Sequence, residues 1–369
     1  MRAGVTLIGP GGRGGVQTYM RLVAERLARD RPERPVTRLD SRGPWGALSP
    51  VWTVAAAVRL AAATATGRTG AVHVMVSERA SLARKAALAL WARALGLRVI
   101  VHHHGADIVE AEGAPGPLGR LALRALGRAA DRTLVLGRAW AEVAAAHGAD
   151  PTRVEVLANA LPDAPLPARA DGAVLRVLFL AVMTERKGAR VLLRALALLR
   201  ARGVAFEALL VGDGPDRPAA EALAAALGLD AGAGVFFPGP AGPEEVARLM
   251  AWADVLAHPS SREGLPMTLL EAMRAGLPCV AAPAGAIGEA LPEGDGLLHV
   301  PSEDPERLAA ALERLARDPE GRRALGAAGR AAFLARFRLG AHAARLATLY
   351  GWDEAPAPAR EGRRDPAFP

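Results

Sequence analysis

Residues 261–273 read S-R-E-G-L-P-M-T-L-L-E-A-M, and the reading of this stretch sets the frame for the rest of the chain. It follows a short apolar run, D-V-L-A at 254–257, that reads as a buried strand, and a turn, H-P-S-S at 258–261. Gly264 permits close backbone approach. Pro266 suits the first position of a helix, where its missing N–H costs nothing. The helix is expected over 266–275, stopped by Gly276 with Pro278 beyond it. The free N–H groups of Met267 and Thr268 then point out of the helix N-terminus, where hydrogen bonds and the helix dipole favour an anion. Glu271 lies one turn further on the same face, and helical side chains lean towards the N-terminus, so its carboxylate reaches back towards the same ligand. Glu263 stands on the other side, in the loop. An anion site between two carboxylates suits a ligand with phosphates in the middle and hydroxyl-rich rings at both ends, which is the shape of a nucleotide-sugar. The alternative is an ordinary capped helix with a solvated glutamate, and a short motif alone does not decide between them.

Outward from this stretch, apolar strands alternate with helical patterns in both directions. Strands are expected at 4–8, 36–40, 71–76, 97–102, 132–136 and 153–157, then at 174–181, 206–211, 235–239, 278–281 and 297–300. Such alternation implies an α/β fold with parallel, doubly wound sheets, whose ligands sit beyond the carboxyl ends of the strands. A chain of 369 residues is too long for one typical core and suggests two domains. Residues 161–172, with Pro162, Pro165 and Pro167, read as the linker between a unit at 1–165 and one at 173–335. Residues 353–369 are proline-rich and charged and are expected to be disordered.

Composition narrows the function. The single cysteine, Cys279, rules out an internal disulfide and fits a reducing cytoplasm, with an inert thiol in an apolar strand. The first ten residues are too short and too soon broken by glycine for a signal peptide. The most apolar run, 51–63, is interrupted by Arg59 and is shorter than the ~20 residues of a spanning helix. The net charge of +8 favours anionic partners, whereas 4% aromatic content and the lack of a helix-turn-helix pattern argue against nucleic acid. Asn159 and Gln17 are the only residues of their types, and Lys85 and Lys187 the only lysines.

Two segments open other possibilities. Residues 9–15, G-P-G-G-R-G-G, contain G-x-G-x-x-G between a strand and a helix expected at 16–29, and Asp40 ends the next strand. That is the dinucleotide fingerprint and keeps an NAD-dependent enzyme open as an alternative. His102, His103 and His104 are adjacent, but neighbours on a strand point to opposite faces, so they make a poor chelate and no metal is expected. Further on, Arg120, Arg124 and Arg128 share one helix face, which fits an anionic membrane surface, a lipid-phosphate acceptor or simply a solvated basic face.

Residues 263–271, with a glutamate at each end, resemble the E-x7-E motif of retaining glycosyltransferases of family 4, whose architecture is GT-B: two Rossmann-like domains facing a cleft. Further segments are similar in order along the chain: G-G-V-Q-T-Y at 14–19, H-G-A-D at 104–107, Asn159, K-G at 187–188, V-G-D-G-P at 211–215 and G-A-I-G-E at 285–289. The resemblance implies a retaining, metal-independent glycosyltransferase that uses no cofactor. It implies a nucleotide-sugar donor, UDP-sugar first and GDP-sugar next, and a sugar or lipid-linked acceptor in polysaccharide or glycolipid synthesis. It places the donor on Gly14, Gly15, Arg186, Lys187, Gly212 and Gly214, and on Gly264, Leu265, Pro266, Met267, Thr268 and Glu271. His104, Glu263 and Lys187 become the candidate catalytic residues, and Asp107, Gln17 and Asn159 candidate acceptor contacts. It also implies that 336–352 crosses back to the first domain. The family's Gly-Arg pair is replaced here by Ala181-Val182, which removes one expected phosphate-binding cation. A nucleotide-sugar-binding subunit without catalysis is the other reading that this loss leaves open.

Overall fold

The computed structural model describes residues 3–11, 14–43, 49–77, 81–105, 116–164, 172 and 174–353. The first sheet contains β1 (Gly4–Gly9), β2 (Val36–Asp40), β3 (Thr69–Val76), β4 (Arg98–His103), β5 (Arg132–Val135) and β6 (Val154–Val156). All its pairings are parallel, in the order β2-β1-β3-β4-β5-β6. Helices α1 (Gly15–Asp30), α2 (Ser49–Ala65), α3 (Leu82–Ala94), α4 (Pro117–Ala129) and α5 (Arg138–Ala146) connect the strands. Central strands such as β3 are buried on both faces, which explains why their sequences are continuously apolar rather than alternating.

The second sheet repeats the design. It holds β7 (Leu175–Leu180), β8 (Phe206–Val211), β9 (Val235–Gly239), β10 (Val255–His258), β11 (Cys279–Ala281) and β12 (Leu297–His299). Its order is β12-β11-β10-β7-β8-β9, again all parallel. The flanking helices are α6 (Ala189–Ala201), α7 (Arg217–Ala226), α8 (Pro243–Trp252), α9 (Met267–Arg274), α10 (Ile287–Ala290), α11 (Pro305–Arg317) and α12 (Pro319–Arg336). The chain winds from β7 out to β9, then returns past β7 to lay down β10, β11 and β12. The strand order therefore reverses between β7 and β10, and a crevice opens at the carboxyl ends of those two strands.

Two features differ from the sequence reading. Helix α9 begins at Met267, and Pro266 caps it in an extended conformation (ψ 131°) instead of occupying its first turn. Helix α5 was not expected, because alanine dominates it and its apolar contribution to the core comes mainly from Trp140 and Ala144.

The last helix, α13 (Leu339–Leu349), lies against α1 of the first domain. The Tyr19 hydroxyl meets His342 Nε2 at 2.7 Å, and the Tyr350 hydroxyl meets His73 Nδ1 at 2.7 Å. These contacts enclose a histidine cluster. His73 and His102 stack at 5.4 Å, and the rings of His102 and His104 are 4.0 Å apart. Lys85 is also buried, and burial pushes its ammonium down to about 7, aided by the Arg84 charge and opposed by Asp40. Among the described residues no helix is long and apolar enough to cross a membrane. The expected disorder of the tail concerns residues that, apart from Asp353, lie outside the described ones.

Candidate active site

The crevice between β7 and β10 collects the chemistry. The loop after β7 carries Lys187, and the loop after β10 carries Glu263. Lys187 Nζ donates to Glu263 Oε1 at 2.5 Å, and His258 Nε2, at the end of β10, lies 2.8 Å from the same oxygen. An ionised carboxylate only accepts hydrogen bonds, so His258 Nε2 carries the proton. Burial alone would raise the Glu263 carboxyl. The His258 hydrogen bond and charge, followed by Lys187, outweigh it and hold the group well below the usual carboxylate range. Both bonds fall on Oε1, so among the described residues neither uses Oε2. A buried carboxylate fixed by one oxygen can offer the other to a ligand.

Gly264 follows, and its lack of a side chain is required. A Cβ there would stand 2.5 Å from the His104 carbonyl oxygen, across the cleft in the first domain. Gly285 is the second required glycine. Its φ is +58°, and a Cβ would meet the Glu263 carbonyl at 1.8 Å. The loop bearing Gly285 thereby closes over Glu263, and the Ala286 amide donates to the Gly264 carbonyl at 3.1 Å. The approach of Gly264 to the His104 carbonyl puts the two domains in contact beside Glu263.

Helix α9 then opens with the amides of Met267 and Thr268, which have no intrahelical acceptor. Gly15 lies opposite, with its Cβ position 3.6 Å from Met267 Cγ, and Gly14 beside it has open space. Gly15 therefore faces the mouth of α9. Glu271 stands one turn into the helix. The residue keeps part of its surface exposed, yet desolvation pushes its carboxyl up to about 7, with Arg274 acting the other way. Among the described residues no cation is hydrogen-bonded to it as Lys187 is to Glu263.

Across the cleft, both ring nitrogens of His104 are buried, and among the described residues neither has a hydrogen-bond partner. Burial first, then the neighbouring His342 and His103, push its imidazole down to about 3, against a pull from Asn159. The His104 ring is neutral and packs against Tyr19 and His102, and it is the main-chain carbonyl of His104 that meets Gly264.

Several expected contacts have other occupations. The Arg186 guanidinium donates to the Arg262 carbonyl at 2.8 Å, which braces the loop carrying Glu263. Gly212 and Gly214 have φ of +137° and +157°, and side chains there would strike the Ala181 and Met183 carbonyls. Both glycines serve the approach of two loops. Asn159 Nδ2 donates to the Leu265 carbonyl at 2.7 Å, joining the two domains next to α9. Gln17 is half-buried on α1, and Val182, where the family carries Arg, is 61% exposed. Asp107 lies outside the described residues.

Two participants, His258 and Trp140, were missed in the sequence, and Glu289 was read only within the G-A-I-G-E segment, with no partner assigned. His258 precedes Glu263 by five residues, and its position at the carboxyl end of a buried strand was the available signal. Glu289 reaches the other domain, where its Oε2 accepts from the Arg138 amide at 2.7 Å, at the start of α5. Trp140 donates from Nε1 to the Gly105 carbonyl at 2.9 Å and fixes the chain just beyond His104. Among the described residues no group of three or more His, Cys, Asp or Glu side chains is placed to hold a metal ion.

Comparison with known proteins bears on the family and the fold. Residues 175–318 match the family model for glycosyl transferases group 1, and residues 2–160 match that for a glycosyl transferase 4-like domain. A D-inositol 3-phosphate glycosyltransferase of Nocardioides is 34% identical over 232 residues, covering 56% of this chain and 47% of that protein. A putative colanic acid biosynthesis glycosyltransferase, WcaL of Salmonella typhimurium, is 33% identical over 155 residues, 40% of this chain and 38% of that one. The match therefore spans less than half the length of each of these relatives. Among solved structures, Anabaena HepE in complex with UDP and glucose superposes with a TM-score of 0.76 at 19% identity, covering 95% of this chain and 100% of that one. Sucrose-phosphate synthase from Thermosynechococcus elongatus gives 0.77 at 21% identity, covering 95% and 99%. At these identities the structural matches establish the shared fold.

Proposed function

This chain belongs to the group 1 glycosyl transferases, and we propose that it moves a sugar from a nucleoside-diphosphate sugar to an acceptor bound against the first domain. The observation that carries the reading is the doubly held carboxylate of Glu263, set between the Lys187 loop and the N-terminus of α9. The diphosphate fits the α9 amides and Lys187, which has two further N–H bonds to offer while it holds Glu263. Glu271 accepts from the ribose hydroxyls. The sugar lies between Glu263 Oε2 and His104. A neutral imidazole suits this place, since it donates and accepts without adding positive charge beside a cationic sugar in the transition state. Amides and Lys187 stabilise charge that develops on the leaving diphosphate, so the reading needs no metal. HepE was solved with UDP and with UDP-glucose, which favours a UDP-sugar as donor and a GDP-sugar next. The E-x7-E resemblance favours retention at the anomeric carbon, and no catalytic base is assigned.

The exposed Val182 supports a second reading, in which the chain binds a nucleotide-sugar without turning it over. The two separate in one assay. UDP-sugars are incubated with the protein and candidate sugar or lipid acceptors in EDTA, and the product is followed by NMR. The expected result is nucleotide release coupled to a product whose anomeric configuration equals the donor's. An inverted product contradicts the proposed stereochemistry, and donor binding with no turnover for any acceptor supports the second reading.

A further inference from the structure

Helices α2, α3 and α4 form one layer. Each follows a strand of the first sheet and leads to the next in the same direction, from β2 to β3, β3 to β4 and β4 to β5, so right-handed crossovers place all three on one face. The Trp91 indole on α3 donates to the Ala57 carbonyl on α2 at 3.1 Å, and α3 packs against α4.

The outer side of this layer is apolar. Seven of the ten large hydrophobic side chains exposed among the described residues stand on it. Val51, Val54 and Val58 follow helical spacing on α2, opposite the buried Ala56 and Leu60, and each is 63% exposed. Leu90 and Trp91 continue the patch on α3. On α4, at 100° per residue, Arg120, Arg124, Arg128, Leu121 and Leu118 fall in sequence around one arc, while Ala122, Leu123, Leu126 and Ala129 are buried on the other.

Charge identifies what this side meets. The three helices contain seven basic residues and no Asp or Glu. Lys85 is buried, Arg84 donates to the Ser49 hydroxyl and Arg93 pairs with Asp131, so Arg59, Arg124 and Arg128 are cations that this side presents, with Arg120 exposed beside them. A second copy docked symmetrically would set arginine against arginine. Nucleic acid would leave the valines and leucines unsatisfied. A broad, low layer with apolar side chains between arginines matches a surface that is anionic at its head groups and apolar beneath them.

We propose that the outer face of α2, α3 and α4 docks on an anionic lipid bilayer, with Val51, Val54, Leu118 and Leu121 entering the acyl boundary and the arginines pairing with lipid phosphates. Docking is independent of sugar transfer and is measured without donor or acceptor. The protein is sedimented with vesicles of phosphatidylcholine alone and of phosphatidylcholine mixed with phosphatidylglycerol. It should bind the mixed vesicles, less so as salt rises, and the neutral ones weakly. Each arginine removed in Arg124→Gln/Arg128→Gln should lower binding about fivefold. Val54→Ser/Leu121→Ser should lower the binding that persists at high salt. All four positions are exposed, so the variants should melt as the parent does. No binding to anionic vesicles at low salt overturns the proposal, as does equal binding by both variants. Vesicle binding unchanged while the same substitutions dissociate a dimer also overturns it and assigns the face to a second copy.

Discussion

Glu263→Gln lowers kcat by on the order of a hundred- to a thousandfold, the range seen when one charge-stabilising group is removed from a transition state, and leaves donor affinity within a few fold. Gln keeps the shape of the side chain and loses the charge that Lys187 and His258 are built around. Lys187→Ala should lower kcat by a similar order and also weaken donor binding, because the lysine meets the diphosphate in the ground state as well. The double variant is the informative one. Lys187 and Glu263 share a hydrogen bond, so its loss should be little more than that of the worse single variant. Initial rates at saturating donor, with melting curves to show that the variants fold, measure this. Fully multiplicative losses would mean that the two residues act independently.

Acid should unfold the protein well above the pH at which carboxylates titrate. Six histidines are buried, and in five of them the imidazole is pushed down. Burial is the leading cause in each case, holding His103 and His342 near 4 and His104 near 3, with His73 and His102 well below their ordinary value. The sign is the same for all. The unfolded chain takes up protons below about pH 6.5 and the folded chain does not, so stability is complete above that pH and is lost as pH falls towards 4. Each histidine costs about 1.4 kcal/mol per pH unit in this window, and the five together about 7 kcal/mol per unit. Glu271, raised to about 7, gains stability on acidification and offsets one of them. Against a typical stability of about 5–15 kcal/mol, the native state should be lost near pH 5. Chemical denaturation followed by circular dichroism at pH 7, 6 and 5 tests this, with about four protons taken up per molecule on unfolding. Stability that is flat from pH 7 to pH 5 would contradict the proton-free state of the cluster.

The parts of the site that were legible in sequence are those built locally. Strand, Gly264 loop and helix α9 lie within about twenty residues, and turn chemistry and helical spacing specify where Met267, Thr268 and Glu271 point. Parallel sheets were legible because buried strands alternate with helices. What was not legible depends on tertiary register. Lys187 and Glu263 are 76 residues apart, and they meet only because β7 and β10 are neighbours at the point where strand order reverses. The fork of Arg186 goes to a carbonyl instead of the crevice, a choice between rotamers that no spacing encodes. Glu289 finds α5 across the cleft, and α5 itself was hidden by its alanines.

The central claim is that α9 and its two carboxylates hold a nucleoside diphosphate. The most direct measurement is calorimetric titration with UDP in EDTA, for the parent and Glu271→Ala, at pH 6 and pH 8. The parent should bind, and more tightly at pH 8, where Glu271 is ionised and accepts both ribose hydroxyls. Glu271→Ala should weaken binding by on the order of ten- to a hundredfold, the value of a charge-assisted hydrogen bond, and should lose that part of the pH dependence. Equal affinity in the two proteins, or binding of NAD in place of any nucleoside diphosphate, would contradict the assignment and return attention to the loop beside Gly14.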